Sequence, residues 1–223
     1  MNVVVCVKVV KGELNPFDEC ALECALQIEN ARVTVVSMGA PTTKTALERI
    51  SRLGLDRIIL LSDNGLAGSD TLATSYALSC VIRTLSPSLV LCGRQSIDGD
   101  TAQVGPCLAQ MLGYNVITHC MNISVRDTVY CQTRQGAEQA ALPAVLTVER
   151  MNTLRFPRIG SKPKEVEIHA ASDYAIDLSR CGVVGSPTKV LETFESSRGM
   201  RKCKFISFSE LDECIASALQ KAK

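Results

Sequence analysis

The chain has 223 residues, 46% hydrophobic and 21% charged, with 24 Lys and Arg against 23 Asp and Glu and a net charge of +1. This much apolar material supports a sizeable core and excludes a disordered chain. The near-zero balance excludes a broad nucleic-acid footprint, which needs a strong basic excess.

The first two-thirds alternates strand and helix signals. Asn2 to Lys8 is a continuous β-branched run, as in a buried parallel strand. Pro16 to Glu29 sets Cys20, Ala21, Cys24, Ala25 and Ile28 on one helical face, with Asn15 as N-cap and Pro16 at the first helical position. Arg32 to Met38 is a second buried strand, Thr42 to Leu53 a helix closed by Gly54, and Asp56 to Leu61 a third strand. Ser69 to Leu85 is a long helix capped by Ser69. Ser88 to Cys92 is a fourth strand, and Thr101 to Leu112 a helix closed by Gly113. Such alternation predicts an α/β fold, a parallel sheet flanked by helices on both faces.

After Gly113 the pattern changes. Val116–Arg126 and Thr128–Thr133 read as antiparallel strands around Arg126 and Asp127, and Ala144–Glu149 as a further strand. Asn152–Lys164, with Pro157, Gly160 and Pro163, reads as an irregular loop. Ser179–Arg201 reads as an extended arm, and Glu210–Ala222 as a short amphipathic helix. The division expected is an α/β domain over residues 1–178 and a C-terminal arm with its helix over residues 179–223. Residues 1–149 carry 11 basic and 14 acidic side chains, residues 150–223 carry 13 and 9, so the last third is suited to an acidic partner.

No apolar run approaches the roughly 20 residues of a membrane span, and the opening Val3 to Val7 run is too short for a signal-peptide core. The expectation is a cytoplasmic protein with no membrane span. The 11 cysteines include no CxxC pair and fall within apolar patterns, so they read as reduced thiols used as small hydrophobes. With only 2 His, a multi-histidine metal site is not expected.

In an open parallel sheet, ligands bind beyond the carboxyl ends of the strands. Three segments arrive there: Cys6–Lys8 leading to Asn15–Asp18, Ser37–Ala40, and Gly93–Gly105. The last follows a buried strand, opens a helix, and combines glycine with short polar side chains. It suits an anion site at a helix N-terminus, and equally an ordinary strand–helix turn with a cap. Lys8 and Arg94 are cationic candidates for phosphate or solvated surface charges. The stretch matches neither a Walker loop nor GxGxxG.

The strings Val5-Cys6-Val7-Lys8, Asn15-Pro16-Phe17-Asp18-Glu19, Gly93 through Pro106, and Leu142-Pro143-Ala144-Val145 resemble the β subunit of electron transfer flavoproteins, in order from residue 2 to about residue 170. The resemblance implies an adenine-nucleotide α-hydrolase-like fold and pairing with a larger, FAD-bearing α subunit. It implies AMP in the β site of ordinary members, or a second FAD in electron-bifurcating ones, and the Asp98–Pro106 string is more similar to the latter. Carried over residue by residue, the nucleotide would touch Cys6, Asn15, Pro16, Phe17, Asp18, Met38, Ser96, Ile97, Asp98, Gly99, Asp100, Thr101, Ala102, Gln103, Val104 and Gly105. Residues 150–164 would be the loop that docks a flavin-dependent dehydrogenase, with Phe156 and Ile159 as apolar anchors in a rim supplied by Arg155 and Arg158. Val183, Val184, Val190, Leu191, Phe194 and Phe205 in the arm would bury against the α subunit. The function so implied is transfer of electrons between a dehydrogenase and an acceptor, with no catalytic acid–base residue in this chain. The alternatives are a stand-alone nucleotide-binding module of the same fold, and an adenylating or phosphate-hydrolysing enzyme.

Overall fold

The computed structural model describes residues 1–189 and 207–221. Its central feature is a seven-stranded sheet built from β1 (Asn2–Cys6), β4 (Arg32–Met38), β5 (Arg57–Leu61), β6 (Leu89–Gly93), β7 (Asn115–Cys120), β11 (Ala144–Val148) and β12 (Val166–His169). The order is β12-β5-β4-β1-β6-β11-β7, and every pairing is parallel. The predicted α/β fold with a parallel sheet is therefore the observed one.

Strand side chains alternate between two apolar layers, as the two-residue period requires. Val3, Val5 and Val7 face one layer, with Leu22 of α1 (Pro16–Gln27) and Leu47 of α2 (Thr43–Ile50). Val4 and Cys6 face the other, with Ile82 of α3 (Thr71–Leu85) and Leu108 of α4 (Val104–Leu112). Both faces are covered, which is why the strands read as unbroken hydrophobic runs.

Several boundaries differ from the sequence reading. The N-cap of α3 is Asp70, whose carboxylate accepts from the Ala73 N–H at 3.0 Å; the Ser69 hydroxyl instead donates to Leu66 O and accepts from Gly182 N–H. The α4 helix starts at Val104, three residues later than expected. The expected long strand Val116–Arg126 is broken at Met121. Its first half, β7, joins the main sheet in parallel with β11. Its second half, β8 (Asn122–Val125), pairs antiparallel with β9 (Thr128–Gln132) in a separate three-stranded sheet completed by β10 (Ala137–Ala141). A residue's period-two pattern does not name its pairing partner, so this split was not visible locally. The short strands β10 and β12 were also not anticipated.

A two-residue hairpin, β2 (Val9–Val10) with β3 (Glu13–Leu14), turns at Lys11 and Gly12, both with positive φ. That geometry matches the twist of paired strands. It returns the chain so that Asn15 N–H donates to Lys8 O at 2.8 Å.

Residues Met1–Lys189 form one compact unit and Val190–Lys223 a second. Residues 179–189, expected in the arm, contain a helical turn, α5 (Gly182–Gly185), that packs within the first unit. Ser186 accepts from Asp70 N–H, and Thr188 donates to the Asp70 carboxylate from both its N–H and its hydroxyl. Val183 and Val184 remain exposed. Val190, Leu191, Phe194 and Phe205 lie outside the described residues. In the second unit, helix α6 (Leu211–Lys221) follows Ser207, whose N–H and hydroxyl both donate to Glu210. No helix among the described residues is long and apolar enough to cross a membrane. The ten described cysteines are free, seven of them buried.

Leu91 is fully buried on β6, between β1 and β11. Leu91→Ala should cost about 2–5 kcal/mol through lost burial and a residual cavity. The check is thermal unfolding, with Tm expected to fall by roughly 5–15 °C.

Candidate functional site

The chain runs from β1 outward through β4 to β5, then returns to place β6 on the other side of β1. The crevice beyond the carboxyl ends of β1 and β6 is the switch point of the sheet, where open α/β folds place ligands.

One side chain closes this switch point. Asp18, in the first turn of α1, is almost fully buried. Its Oδ2 accepts from Lys8 N–H at 2.8 Å, just past β1, and its Oδ1 from Gly93 N–H at 3.0 Å, at the end of β6. A Cβ at Gly93 would collide with Asp18 Oδ1 and with Phe17, so only glycine allows this approach. Burial pushes the Asp18 carboxyl up to about 7, against the opposing pull of hydrogen bonds from Lys8, Asn15 and Gly93.

Asn15 is the N-cap residue by position but makes no side-chain cap bond. Its Nδ2 donates to Gln95 O at 2.8 Å, and its Oδ1 accepts from Ile97 N–H at 3.3 Å. The Asn15 amide thus fixes the start of the loop that follows β6.

That loop is shaped by its backbone. Asp100 N–H donates to Ser96 O at 2.9 Å, and Asp100 and Ala102 both have positive φ. Ala102 at φ 55° precedes Gln103 at φ −104°, ψ −13°. Such alternation turns successive N–H groups to the same side and forms an anion-binding concavity. Among the described residues, no acceptor is found for the N–H groups of Thr101, Ala102, Val104 and Gly105. The Thr101 hydroxyl lies 3.2 Å from that of Thr71 at the start of α3. Gly99 has ordinary φ, and a Cβ there would meet only Ser96 Oγ at 3.3 Å. Gly105 is different: a Cβ there would strike Thr147 of β11, so this glycine seats α4 on the sheet.

The nearby cations are committed. Lys8 Nζ pairs with both carboxylate oxygens of Asp98, at 2.9 and 2.8 Å. Burial pushes the Asp98 carboxyl up, but bonds from Lys8 and Ser96 outweigh it and hold the group below its usual range. Arg94 pairs with the buried Glu149 at 3.1 Å, bonds to Gln95, and lies over the Phe17 ring. Its Nε is buried without a partner among the described residues.

The expected site residues therefore do converge on one end of the sheet, in two roles. Asn15, Asp18, Asp98 and Gly105 use their polar atoms or their lack of a side chain within the protein. Cys6 and Met38 end β1 and β4, Pro16 and Phe17 open α1, and Ile97, Gly99, Asp100 and Gln103 are exposed on the loop. Sequence reasoning missed Glu149 and Thr71, whose partners Arg94 and Thr101 lie 55 and 30 positions away, and Gln95, whose side chain bonds to Arg94 and Asp100 beside it. The open N–H groups of this loop fit an anionic group such as a phosphate.

The dehydrogenase-docking loop of the resemblance lies elsewhere. Phe156 and Ile159 are 92% and 106% exposed, so neither packs on its own sheet. Arg155 is engaged with Glu23, which leaves Arg158 to supply the basic rim. Leu154 packs inward against the core. A cavity of about 240 Å3 opens beside this loop, lined by Leu26, Ile28, Val33, Leu53 and Phe156, at the amino end of β4 and away from the crevice.

The fold and crevice together define an α/β protein of the parallel-sheet class with a loop of open backbone N–H groups at its switch point. Residues 3–174 match the model of the electron transfer flavoprotein domain. The chain is 38% identical to the electron transfer flavoprotein subunit beta of Clostridium acetobutylicum, over 85% of this chain and 86% of that one. It is 37% identical to protein FixA of Azorhizobium caulinodans, over 88% and 78%. It is 35% identical to the caffeyl-CoA reductase-Etf complex subunit CarD of Acetobacterium woodii, over 96% and 87%. The chain belongs to the electron transfer flavoprotein family, as a β-subunit type, and its role is in electron transfer.

The raised Asp18 group has a pH consequence. The unfolded chain releases this proton at about pH 4 and the folded chain near pH 7, so the folded state binds more protons in between. Asp18 therefore contributes a loss of stability as pH rises through that window. Asp18→Asn should flatten the fall of Tm between about pH 4.5 and 6.5 relative to wild type. An unchanged slope would show that the carboxyl ionises normally.

Proposed function

We propose that the chain binds an adenine nucleotide, FAD or AMP, in the crevice beyond β1 and β6. Paired with a larger α subunit that holds FAD, it passes electrons between a flavin-dependent dehydrogenase and an acceptor. The observation that carries this reading is the 99–105 backbone, with several N–H groups open at the switch point beside α4. Because Lys8 and Arg94 are already paired, phosphate is held chiefly by backbone N–H groups and the Thr101 hydroxyl. Cys6 and Met38, at the strand ends, supply backbone groups and apolar contact to the base. When a flavin is bound, it supplies the redox-active ring. The chain's own residues hold, orient and shield it.

The dehydrogenase partner is met by the exposed apolar pair Phe156 and Ile159 with Arg158 beside them, a small patch suited to rapid release. The A. woodii relative is named as a subunit of a caffeyl-CoA reductase complex. A substrate-reduced, flavin-dependent acyl-CoA dehydrogenase is accordingly the probe of choice. Co-purification with a yellow, larger subunit separates this reading from a stand-alone module, and mass spectrometry of the extracted ligand separates FAD from AMP.

Gly99→Val places a side chain where the nearest neighbour within the fold is the Ser96 hydroxyl, at 3.3 Å from the new Cβ and able to turn aside. It should weaken AMP and FAD binding by about tenfold or more, a change of about 1.4 kcal/mol, with Tm of the nucleotide-free protein nearly unchanged. Unaltered affinity for both nucleotides would remove the crevice as their site.

Phe156→Ala should raise the KM for the reduced dehydrogenase by about tenfold and leave nucleotide affinity and Tm in place. A sharp fall in Tm would instead assign the ring to the core.

A further inference from the structure

Phe156 and Ile159 stand on a segment with no secondary structure, yet the chain on either side of them is tied down. On the near side, three positions of α1 along one helical face, Cys20, Glu23 and Cys24, meet residues 152–155. Cys20 Sγ donates to Asn152 O at 2.8 Å, and Asn152 Nδ2 donates to Cys24 Sγ at 3.8 Å. Glu23 receives four bonds from one residue: Arg155 N–H to Oε2 at 3.1 Å, Nε to Oε1 and Oε2 at 3.1 and 3.0 Å, and Nη2 to Oε1 at 2.7 Å. Gln27 Nε2 adds a bond to Oε1 at 2.9 Å. On the far side, Arg52 Nε donates to Ser161 O at 2.9 Å, and Lys164 N–H donates to Ser51 O at 2.9 Å. The segment is a strap between α1 and the end of α2, lying over the cavity, with its two anchors facing out.

Glu23 is the strongest tie. Its side chain is 8% exposed, whereas that of Arg155 is 40% exposed. Burial pushes the Glu23 carboxyl up, but the Arg155 and Gln27 bonds outweigh it and hold the group ionised, while Arg155 is raised by the same pairing. A buried carboxylate on a helix is tolerated only when paired, so lifting the loop would strand it. Loop closure is thus coupled to the solvation of one charge.

We propose that Glu23 is a positioning residue for partner engagement: through Arg155 it holds residues 156–160 in the conformation that presents Phe156 and Ile159. This rests on the docking reading above. A preformed loop removes the ordering cost that a free segment would meet on binding, so the clasp acts on encounter affinity and not on the electron-transfer step.

The test is Glu23→Gln in the full heterodimer. This change removes the buried charge and leaves Arg155 free to turn to solvent, whereas Arg155→Ala would strand the carboxylate. Tryptic cleavage after Arg158 should accelerate about tenfold or more, with Tm and nucleotide affinity nearly unchanged. Arg155→Lys keeps the charge but loses the planar fork, and should shift cleavage the same way by less. Unchanged cleavage in both variants overturns the clasp. With the reduced acyl-CoA dehydrogenase as probe, Glu23→Gln should raise KM several-fold and leave kcat alone. In a Phe156→Ala background its effect on KM should be clearly smaller than in wild type, because one of the two presented anchors is already gone. Full additivity, or a fall in kcat alone, would overturn the positioning role. If Phe156→Ala itself has no effect, the docking reading fails, while the cleavage result still decides whether the clasp holds the loop.

Discussion

The structure depends on a carboxylate placed where a carboxylate is costly. Asp18 is buried at the switch point of the sheet and accepts from the two N–H groups that end β1 and β6. Those groups lie at or just past the carboxyl ends of strands running side by side in the same direction, so their donors emerge together. Each oxygen of the Asp18 carboxyl takes one of them, so a single side chain satisfies both. The cost of burial is visible in the raised affinity of Asp18 for its proton. In return, α1, β1 and β6 are joined at a single point, and everything beyond the strand ends is built from there.

The loop after β6 inherits this arrangement. The Asn15 amide bonds to Gln95 and Ile97, so the helix start and the loop are held together by a side chain placed at the N-cap position. Charge is balanced inside the protein, with Lys8 against Asp98 and Arg94 against Glu149. A site built in this way does not attract anions by a strong positive field. It offers directed backbone donors of fixed position, which favour a ligand of matching shape. That suits a nucleotide held for structural or redox purposes, where retention and orientation matter more than turnover.

At the other end of the sheet the same economy appears in a different form. The strap from residue 152 to residue 164 has no strand or helix of its own, and is ordered by ties to α1 and α2. The exposed apolar anchors and the crevice lie at opposite ends of the sheet, and α1 serves both. Its first turn carries Asp18, and its third and fourth turns carry Glu23 and Gln27. One helix thereby sets the geometry of two surfaces.

The parallel α/β architecture was legible in the sequence because burial on both faces writes unbroken β-branched runs, and amphipathic helices write a 3.6-residue period. The family strings around Asn15–Asp18 and Gly93–Gly105 also located the crevice, since they fall where strands end and helices begin. By itself the sequence determined which segments fold and at which end of the sheet the candidate residues meet. It did not determine the task of each polar side chain. Asn15 looked like a cap and ties a loop, Lys8 and Arg94 looked like phosphate ligands and are paired, and Arg155 looked like part of a basic rim and holds a buried glutamate. The break at Met121, the pairing of β7 with β11, and the edge position of β12 were likewise settled only by tertiary structure. The reason is the same in each case. Local pattern reports whether a residue is buried and with what period, while hydrogen-bond and charge partners are chosen among residues distant in the chain, 29 positions for Asn115 and Ala144 and 132 for Glu23 and Arg155, which only the folded chain brings together.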